Sequence, residues 1–328
     1  MSFDRWPGFA RVPADEWTTQ RVETLARKYD TVEHHGWYRN LDPTVAELRA
    51  TLRDGDVLID YSGGTAILAD RLLRDPRVPH CGIQLVIVDS SPKFLRLALD
   101  KFGDDPRVAF RLIRYLRDRD RLEYLDEVLP PGADALVSTN AIHLYYGLPD
   151  TLAAWKRALK PGAAVFVQSG NIRNPEAPTG CWIIDETVGA IHEAATRIVR
   201  RTPEYAKYRA TLDHAERMAA YASLRQKYFL PVRPLDYYVD TLNAAGIRVA
   251  STRAHRVDAN VAEWGDFLAV YHEGVLGWIG GVEKIEGRSA SEADVQVRLA
   301  LLKQALDEVF HGAREFPCVW TYITARCT

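Results

Sequence analysis

The most informative residues of this chain form a turn of small residues, followed at a fixed distance by an acidic residue. The turn runs from Asp60 to Ala66, has the sequence DYSGGTA and follows a short apolar run. Small residues let the backbone approach a ligand closely, and the helix that follows offers unpaired N–H groups at its start. Asp89 ends the next apolar run about 25 residues after Gly64, where a carboxylate can accept hydrogen bonds from both hydroxyls of a ribose. Together the two features predict a nucleoside ligand.

Two other nucleotide-binding signatures are excluded by the same segment. A dinucleotide fingerprint needs a third glycine three residues after the second, and Ile67 stands at that position. A P-loop needs a glycine followed by a lysine, and the turn contains none. The nucleoside is therefore expected to be of another kind.

No metal site is predicted. The histidines His34, His35 and His80 lack the spacing of zinc ligands, and the cysteines form no CxxC pair. We expect reduced thiols, as in a cytosolic protein, at Cys81, Cys181, Cys318 and Cys327.

Apolar runs alternate with helical patterns along most of the chain. Strands are predicted at 57–59, 83–88, 108–113, 135–138, 163–168, 247–254 and 318–325. Strands that alternate with helices form βαβ units, and these build a parallel sheet with helices on both faces. The predicted fold class is α/β, with a doubly wound, mostly parallel seven-stranded sheet.

The spacing of these elements also predicts four segments. Residues 1–50 are expected to form an N-terminal helical flap over the ligand, which includes His34 and His35. Residues 51–171 form the α/β core that binds the cofactor, and 172–234 form a helical lid insertion. Residues 235–328 complete the core and carry an insertion on the substrate side.

The order of the motifs resembles that of the class I S-adenosylmethionine-dependent methyltransferases, whose fold is Rossmann-like. In the turn, Asp60 takes the acidic position, Gly64 the central glycine and Thr65 the threonine of the family's first motif, while Ser62 and Ala66 replace its outer glycines. The segments VDSSPKFL at 88–95, ALVSTNAIHL at 135–144 and LKPG at 159–162 resemble later motifs. The resemblance covers residues 50 to 170 well.

The resemblance implies S-adenosyl-L-methionine as the cofactor and S-adenosyl-L-homocysteine as its product. It places the methionine end of the cofactor on Asp60 and the turn, and the ribose on Asp89. The expected cofactor-binding residues are Asp60, Ser62, Gly63, Gly64, Thr65, Asp89, Ser90 and Asn140.

One position departs from the family pattern. The third strand usually ends near an acidic residue that contacts the adenine amine, and this chain has Arg114 there. Asp118 or Asp120 could replace the missing carboxylate from the next turn, and Arg114 could instead hold an anion. The basic segment 111–121 is otherwise expected to be a solvated helical face.

A general base is needed only if the acceptor must lose a proton during methyl transfer. His143 follows the fourth strand at the edge where ligands bind in open α/β sheets, and it is the first candidate. His272, in the aromatic and glycine-rich stretch 264–281, is the second. The residues expected to line the substrate site are Tyr145, Tyr146, Trp182 and Tyr271.

Composition bounds the class of partner. The chain has 328 residues and a formal net charge of −2, so it lacks the basic field that gathers nucleic acid. No apolar run reaches the length of a membrane span, and we expect a cytoplasmic protein that binds neither nucleic acid nor membrane. The helices of the insertion could cover the substrate or form a homodimer interface.

The leading interpretation is a methyltransferase for a small-molecule acceptor, in secondary metabolism if the long lid encloses a specialised substrate. One alternative is an RNA or protein methyltransferase. The other is a methyltransferase-like protein that binds a nucleoside or a partner without turnover. The acceptor atom, whether O, N, C or S, stays open, because all four are methylated on this fold.

Overall fold

The computed structural model describes residues 6–22, 36–74 and 82–328, and a seven-stranded sheet lies at its centre. In chain order the strands of the described residues are β1 (Val57–Tyr61), β2 (Gln84–Asp89), β3 (Val108–Leu112), β4 (Tyr115–Leu116), β5 (Arg121–Leu122), β6 (Ala133–Thr139), β7 (Leu159–Ser169), β8 (Ile172–Arg173), β9 (Arg233–Pro234), β10 (Ile247–Asn260) and β11 (Glu315–Cys327). The central sheet has the order β10-β11-β7-β6-β1-β2-β3, and the two other pairs, β4-β5 and β8-β9, are small.

All seven predicted strands lie in this sheet. The strands from β7 to β3 pair in parallel, whereas β11 is antiparallel to both of its neighbours. The chain runs outward from β1 to β2 and β3 on one side, and from β6 to β7 on the other. The carboxyl ends of β1 and β6 therefore flank a switch point, where open α/β sheets bind their ligands. The predicted doubly wound, mostly parallel fold is confirmed.

Helices cover both faces of the sheet because its strands are apolar on both sides; all five residues of β1 are buried. In chain order the α-helices of the described residues are α1 (Asp42–Thr51), α2 (Ile67–Leu73), α3 (Pro92–Phe102), α4 (Leu125–Val128), α5 (Leu148–Ala158), α6 (Glu186–Arg201), α7 (Arg209–Leu212), α8 (Ala215–Tyr228), α9 (Leu235–Ala244), α10 (Val261–Val270), α11 (His272–Leu276), α12 (Glu283–Glu286) and α13 (Glu292–Val309). Short 3₁₀ helices lie at Glu16–Thr19, Gly36–Leu41, Ile142–Leu144 and Pro203–Tyr208.

A helical cap with a core of its own stands beside the sheet. We use the word cap for residues 186–228 together with 261–309. Ile191 and Leu224 from the first segment and Trp264 and Leu301 from the second belong to one buried cluster, which continues onto β11. Most of the predicted lid 172–234 thus packs against residues 261–309 in one core. The spacing of elements along the chain does not predict this contact.

The first described residues run along the edge of the sheet. The amide of Phe110 in β3 donates to the carbonyl of Arg11, and the Arg11 guanidinium donates to carbonyls at both ends of the loop before β3. Residues 6–22 hold one 3₁₀ turn and no α-helix, whereas Gly36–Leu41 and Asp42–Thr51 are helical, and the flap predicted for 1–50 stays a prediction. His34 and His35, named in that prediction, lie outside the described residues, as do His80 and Cys81.

The prediction of a helical face at 111–121 is wrong. The segment completes β3 and then forms the β4-β5 hairpin, in which Tyr115 pairs with Leu122. Asp120 takes a left-handed conformation in the tight turn, with φ of 48°, which aspartate tolerates better than most residues. Charge pattern alone does not separate a solvated helix from a short solvated hairpin. Among the described residues, no helix is long and apolar enough to cross a membrane.

Arg298 in α13 generates a prediction about the stability of the cap. Its side chain is fully buried and donates to the carbonyls of Ile279, Gly277 and Gly281. Arg298→Met should lower the free energy of unfolding by about 3 kcal/mol, because several buried carbonyls lose their donor. Urea unfolding followed by circular dichroism measures this change.

A matched control is Arg288→Met, since the Arg288 side chain is 72% exposed and contacts Glu286 only at 3.5 Å. That change should alter the free energy of unfolding by less than about 0.5 kcal/mol. Equal losses in the two variants would contradict the role given to Arg298.

Candidate active site

A large cavity opens at the carboxyl ends of β1, β2 and β6, beside the switch point of the sheet. Its volume is about 680 Å³, within the range of small-ligand sites. Its walls come from the turn after β1, the end of β2, the β4-β5 hairpin and the loop after β6. A smaller depression of about 370 Å³ lies between α8 and α12 in the cap, away from the strand ends.

The turn after β1 has glycine-like backbone geometry at alternate positions. Ser62, Gly64 and Ala66 have φ of 63°, 57° and 72°, all in the left-handed region. These are the three positions at which the resemblance expects glycine. Ser62 and Ala66 keep that conformation although a side chain there costs about 1 to 2 kcal/mol. The backbone therefore supports the residue-by-residue match despite the changed residue types.

Gly63 lets the turn pack closely against the Asp60 carboxylate beneath it. A Cβ atom at Gly63 would lie 2.8 Å from Oδ2 of Asp60 and 2.9 Å from Cγ2 of Ile87. A Cβ atom at Gly64 would meet nothing within 4 Å. Packing thus requires glycine at position 63. At position 64 the positive φ favours glycine, although a side chain there would have room.

Asp60 is a buried carboxylate without a partner. It is fully buried, and neither of its oxygens accepts a hydrogen bond within the described residues. Burial and the nearby Asp89 raise its pKa to about 7. The Thr65 hydroxyl, buried in the same turn, also lacks a partner there. Thr65 lines the cavity, whereas Asp60 lies beneath the turn and is not among the residues that line it.

Asp89 ends β2 on the opposite side of the turn and lines the cavity. Its Oδ2 accepts from the Gly64 amide at 2.9 Å, and its Oδ1 accepts from the Ser91 amide at 2.7 Å. Burial raises its pKa, and these amide bonds oppose that rise. Because each carboxylate oxygen has a second lone pair, the side chain can still accept hydroxyl donors. Ser90 also lines the cavity.

The loop after β6 forms the facing wall. Asn140 has φ of 54°, and its Oδ1 accepts from Nε1 of Trp320 at 2.8 Å. Tyr145 and Tyr146 line the cavity too. The Tyr145 hydroxyl lies between two serines, whereas Tyr146 is 75% exposed at the mouth.

Of the two candidate bases, only His143 lies near this edge of the sheet. It belongs to the 3₁₀ helix after β6, and its Nδ1 is 2.9 Å from Oγ of Ser169 at the end of β7. Burial lowers its pKa to about 4, so the imidazole is neutral at pH 7. His143 lies beside the residues that line the cavity and is not one of them.

His272 lies in the cap, where its Nδ1 is 3.2 Å from Nη1 of Arg298. Trp182 packs its ring against Phe310, and Tyr271 packs against Tyr228. None of the three predicted residues lines the cavity. Their aromatic and glycine-rich surroundings, which suggested a ligand site, are those of the cap core.

The β4-β5 hairpin determines the positions of Arg114, Asp118 and Asp120 relative to the cavity. Arg114 pairs with Asp15 at 2.6 Å and does not line the cavity. Asp120 does line it and accepts a hydrogen bond from the Tyr115 hydroxyl, while Asp118 is 76% exposed elsewhere.

Several apolar residues of the cavity wall were not predicted from the sequence. These residues lie just after a strand or close to the end of a helix or strand near the switch point, and that position could have indicated them. They are Leu41, Phe94, Ile113, Tyr115 and Leu122. Within the described residues, no group of three His, Cys, Asp or Glu side chains is arranged to hold a metal ion.

Comparisons with known proteins bear on the fold. No protein-family model matches the chain, and no curated protein matches it. Among solved structures it is similar to a Haemonchus contortus phosphoethanolamine N-methyltransferase 2 in complex with S-adenosylhomocysteine, at 14% identity and a TM-score of 0.47, over 92% of this chain and 56% of that one. The chain thus spans little more than half of that enzyme.

Two further structures are matched over most of their length. A methyltransferase from Thiobacillus denitrificans in complex with S-adenosyl-L-homocysteine shares 14% identity and a TM-score of 0.48, over 94% of this chain and all of that one. The 4+2 cyclase SpnF shares 16% identity and a TM-score of 0.49, over 92% of each chain.

The described residues have the doubly wound, mostly parallel seven-stranded sheet predicted from the sequence, and an α/β fold of this kind does not by itself fix a reaction. The activity has to follow from the side chains around the cavity.

The glycine turn generates the first prediction for this site. Gly63→Ala should lower the free energy of unfolding by about 2 to 3 kcal/mol, because the new methyl group overlaps Asp60 and Ile87. Gly64→Ala should cost only about 1 kcal/mol, which is the price of a positive φ, since its methyl group points into open space. Urea unfolding compares the two variants. A larger loss for Gly64→Ala would show that the packing around the turn is described wrongly.

The buried carboxylate generates a prediction about pH. The folded-state pKa of Asp60, about 7, lies above its ordinary value of 3.8, so folding takes up a proton between these limits. Stability from this group is therefore present at pH 4 and is lost as the pH rises to 7, by about 1.4 kcal/mol per unit of pKa shift. Asp60→Asn should gain stability relative to the unaltered protein as pH rises from 5 to 8.

Urea unfolding at each pH measures the difference, and Asp118→Asn serves as the control because Asp118 is 76% exposed. The control should run parallel to the unaltered protein. If the difference for Asp60→Asn were constant across the pH range, Asp60 would be ionised throughout.

Proposed function

We propose that this chain is an S-adenosyl-L-methionine-dependent methyltransferase that acts on a small-molecule acceptor and releases S-adenosyl-L-homocysteine. The observation that carries the proposal is the unpartnered Asp60 carboxylate beneath the glycine turn, with Asp89 at the end of the neighbouring strand. No cation among the described residues contributes to the pKa of either carboxyl group, and such a pair favours a ligand that brings positive charge.

S-Adenosylmethionine has the required charge, since it carries an ammonium and a sulfonium next to its ribose. A dinucleotide or a nucleoside triphosphate would bring phosphate charge toward Asp60 and Asp89, which is unfavourable at short range in a site of low polarity. The charge of the site therefore favours a nucleoside without phosphate groups. The absence of the dinucleotide and P-loop motifs from the sequence pointed the same way.

The residues present fit this cofactor. The methionine end would lie on the turn, with its ammonium toward Asp60 and the Thr65 hydroxyl. Asp89 would accept from the ribose hydroxyls, beside Ser90 and across from Asn140. Asp120 is the acidic residue in place to meet the adenine amine. The bound cofactor supplies the methyl group, and the chain supplies orientation and exclusion of water.

His143 is the proposed base for acceptors that lose a proton. Its imidazole is neutral at pH 7, and the pKa of about 4 that burial gives it makes it a weaker base than an ordinary histidine. The Ser169 hydroxyl, which also accepts from the Asn171 amide, holds the ring from β7. His272 is not proposed for this role, because its Nδ1 faces the Arg298 guanidinium in the cap.

A small acceptor is favoured by the shape and charge of the surroundings. The cavity is bounded by the hairpin, the 3₁₀ helix Gly36–Leu41 and the loop after β6, and its volume of about 680 Å³ suits a small ligand. Four acidic residues line it and one basic residue does, and that residue, Arg121, is paired with Glu127. A polyanionic RNA acceptor is disfavoured by this balance. A place in secondary metabolism, a cytoplasmic location and a homodimer stay predictions.

Calorimetry with S-adenosylhomocysteine tests the cofactor. We expect binding with a micromolar Kd by the unaltered chain and no measurable binding by Asp89→Ala, since the ribose loses its acceptor. Asp118→Ala, which removes an exposed carboxylate, should bind as the unaltered chain does. An absence of heat at high micromolar concentrations of ligand would refute the proposed function.

Turnover is measured separately with methyl-labelled S-adenosylmethionine and a panel of small amines, phenols, thiols and carbon acids. Label transferred to one of these classes identifies the acceptor atom. Firm binding of the cofactor without transfer to any class would favour the alternative of a nucleoside-binding protein.

A further inference from the structure

Ser62 holds a backbone conformation that its side chain disfavours. Its φ of 63° is in the left-handed region, where glycine is at ease and serine is strained. Such a residue persists only when its surroundings hold it in place. The contacts of the Ser62 side chain show what could do so.

The Ser62 hydroxyl is tied to the loop on the other side of the switch point. Its Oγ lies 2.9 Å from the hydroxyl oxygen of Tyr145, and that oxygen also lies 2.9 Å from Oγ of Ser138 in β6. The three hydroxyls form a chain that links the turn after β1 to β6. Ser138 is fully buried, so the chain is anchored at a rigid end.

The Tyr145 ring has little freedom to leave this position. It packs edge-on against Tyr61, with ring centroids 5.5 Å apart, and against Trp155, with centroids 6.0 Å apart. Burial raises the pKa of Tyr145 well above its ordinary value, so the hydroxyl keeps its proton. Because the Tyr145 hydroxyl already forms hydrogen bonds with Ser62 and Ser138, we do not expect it to bind substrate.

We propose that Tyr145 is a positioning residue that holds Ser62 in the left-handed conformation and thereby sets the turn against the methionine end of the cofactor. The hydrogen bond between the two hydroxyls stabilises at Ser62 the left-handed conformation that a glycine would adopt without support. The consequence for the cofactor rests on the proposed function, whereas the coupling of Tyr145 to Ser62 does not.

The geometry shows how a change at Ser62 would reach the ribose site. The next two amides of the turn bind to β2: that of Gly63 donates to the Val88 carbonyl at 3.1 Å, and that of Gly64 to Oδ2 of Asp89 at 2.9 Å. If Ser62 relaxed to a negative φ, both amides would turn away from these acceptors. The turn would then no longer be held at a fixed position relative to the Asp89 carboxylate.

A double-mutant cycle tests the proposal, with Tyr145→Phe, Ser62→Gly and both changes combined. Tyr145→Phe should weaken S-adenosylhomocysteine binding about tenfold, as expected for one hydrogen bond lost at a strained residue. Adding Ser62→Gly should restore the affinity to within about threefold of the unaltered chain, because glycine needs no support at that φ. Calorimetry measures the affinities.

Ser138→Ala is the matched control. It removes the other hydrogen bond of the Tyr145 hydroxyl but keeps the bond to Ser62, so the affinity should stay within about twofold. A double variant that binds as weakly as Tyr145→Phe alone would overturn the proposal, because the loss would then come from the packing of the ring.

Urea unfolding of the same variants decides the coupling even if the chain binds no S-adenosylhomocysteine. Tyr145→Phe should raise the unfolding equilibrium constant about tenfold more with serine at position 62 than with glycine there. Equal effects in the two backgrounds would overturn the role of Tyr145, whatever the fate of the proposed function.

Discussion

The burial of negative charge at the ends of β1 and β2 is the constraint on which the site depends. Asp60 and Asp89 lie on adjacent parallel strands, and burial together with the nearby Asp89 raises the pKa of Asp60. Asp89 is compensated by the backbone amides of Gly64 and Ser91, but Asp60 has no such help within the described residues. The described residues therefore bury a carboxyl group that they do not compensate.

The turn above these carboxylates is strained for a related reason. Gly63 must lie directly on Asp60, and that close approach leaves the residues on either side in left-handed conformations. At Gly64 this conformation carries no penalty. At Ser62 the side chain opposes it, and the hydroxyl bond to Tyr145 offsets the cost. Ala66 has no such bond and relies on its complete burial in the core beneath α2.

The cap explains why three predicted site residues lie away from the cavity. Its two segments are separated by α9 and β10 in the chain, yet they share one core. Trp182 packs against this core and contacts Phe310, and Tyr271 contacts Tyr228 at its edge. Arg298 binds the carbonyls of the glycine-rich loop 277–281 and meets His272. Aromatic and glycine residues in this stretch build a helical body, whereas the sequence analysis assigned them to a ligand.

The sequence by itself determined the strands, their order of motifs and the placement of Asp60 and Asp89, because these follow from local periodicity and from the rule that parallel strands bring their carboxyl ends to one edge. Only the tertiary structure decided that Tyr145 supports Ser62, that His272 faces Arg298 and that the two insertions form one cap. Each of those facts joins residues far apart in the chain, and side-chain packing, which leaves no periodic trace in the sequence, brings them together.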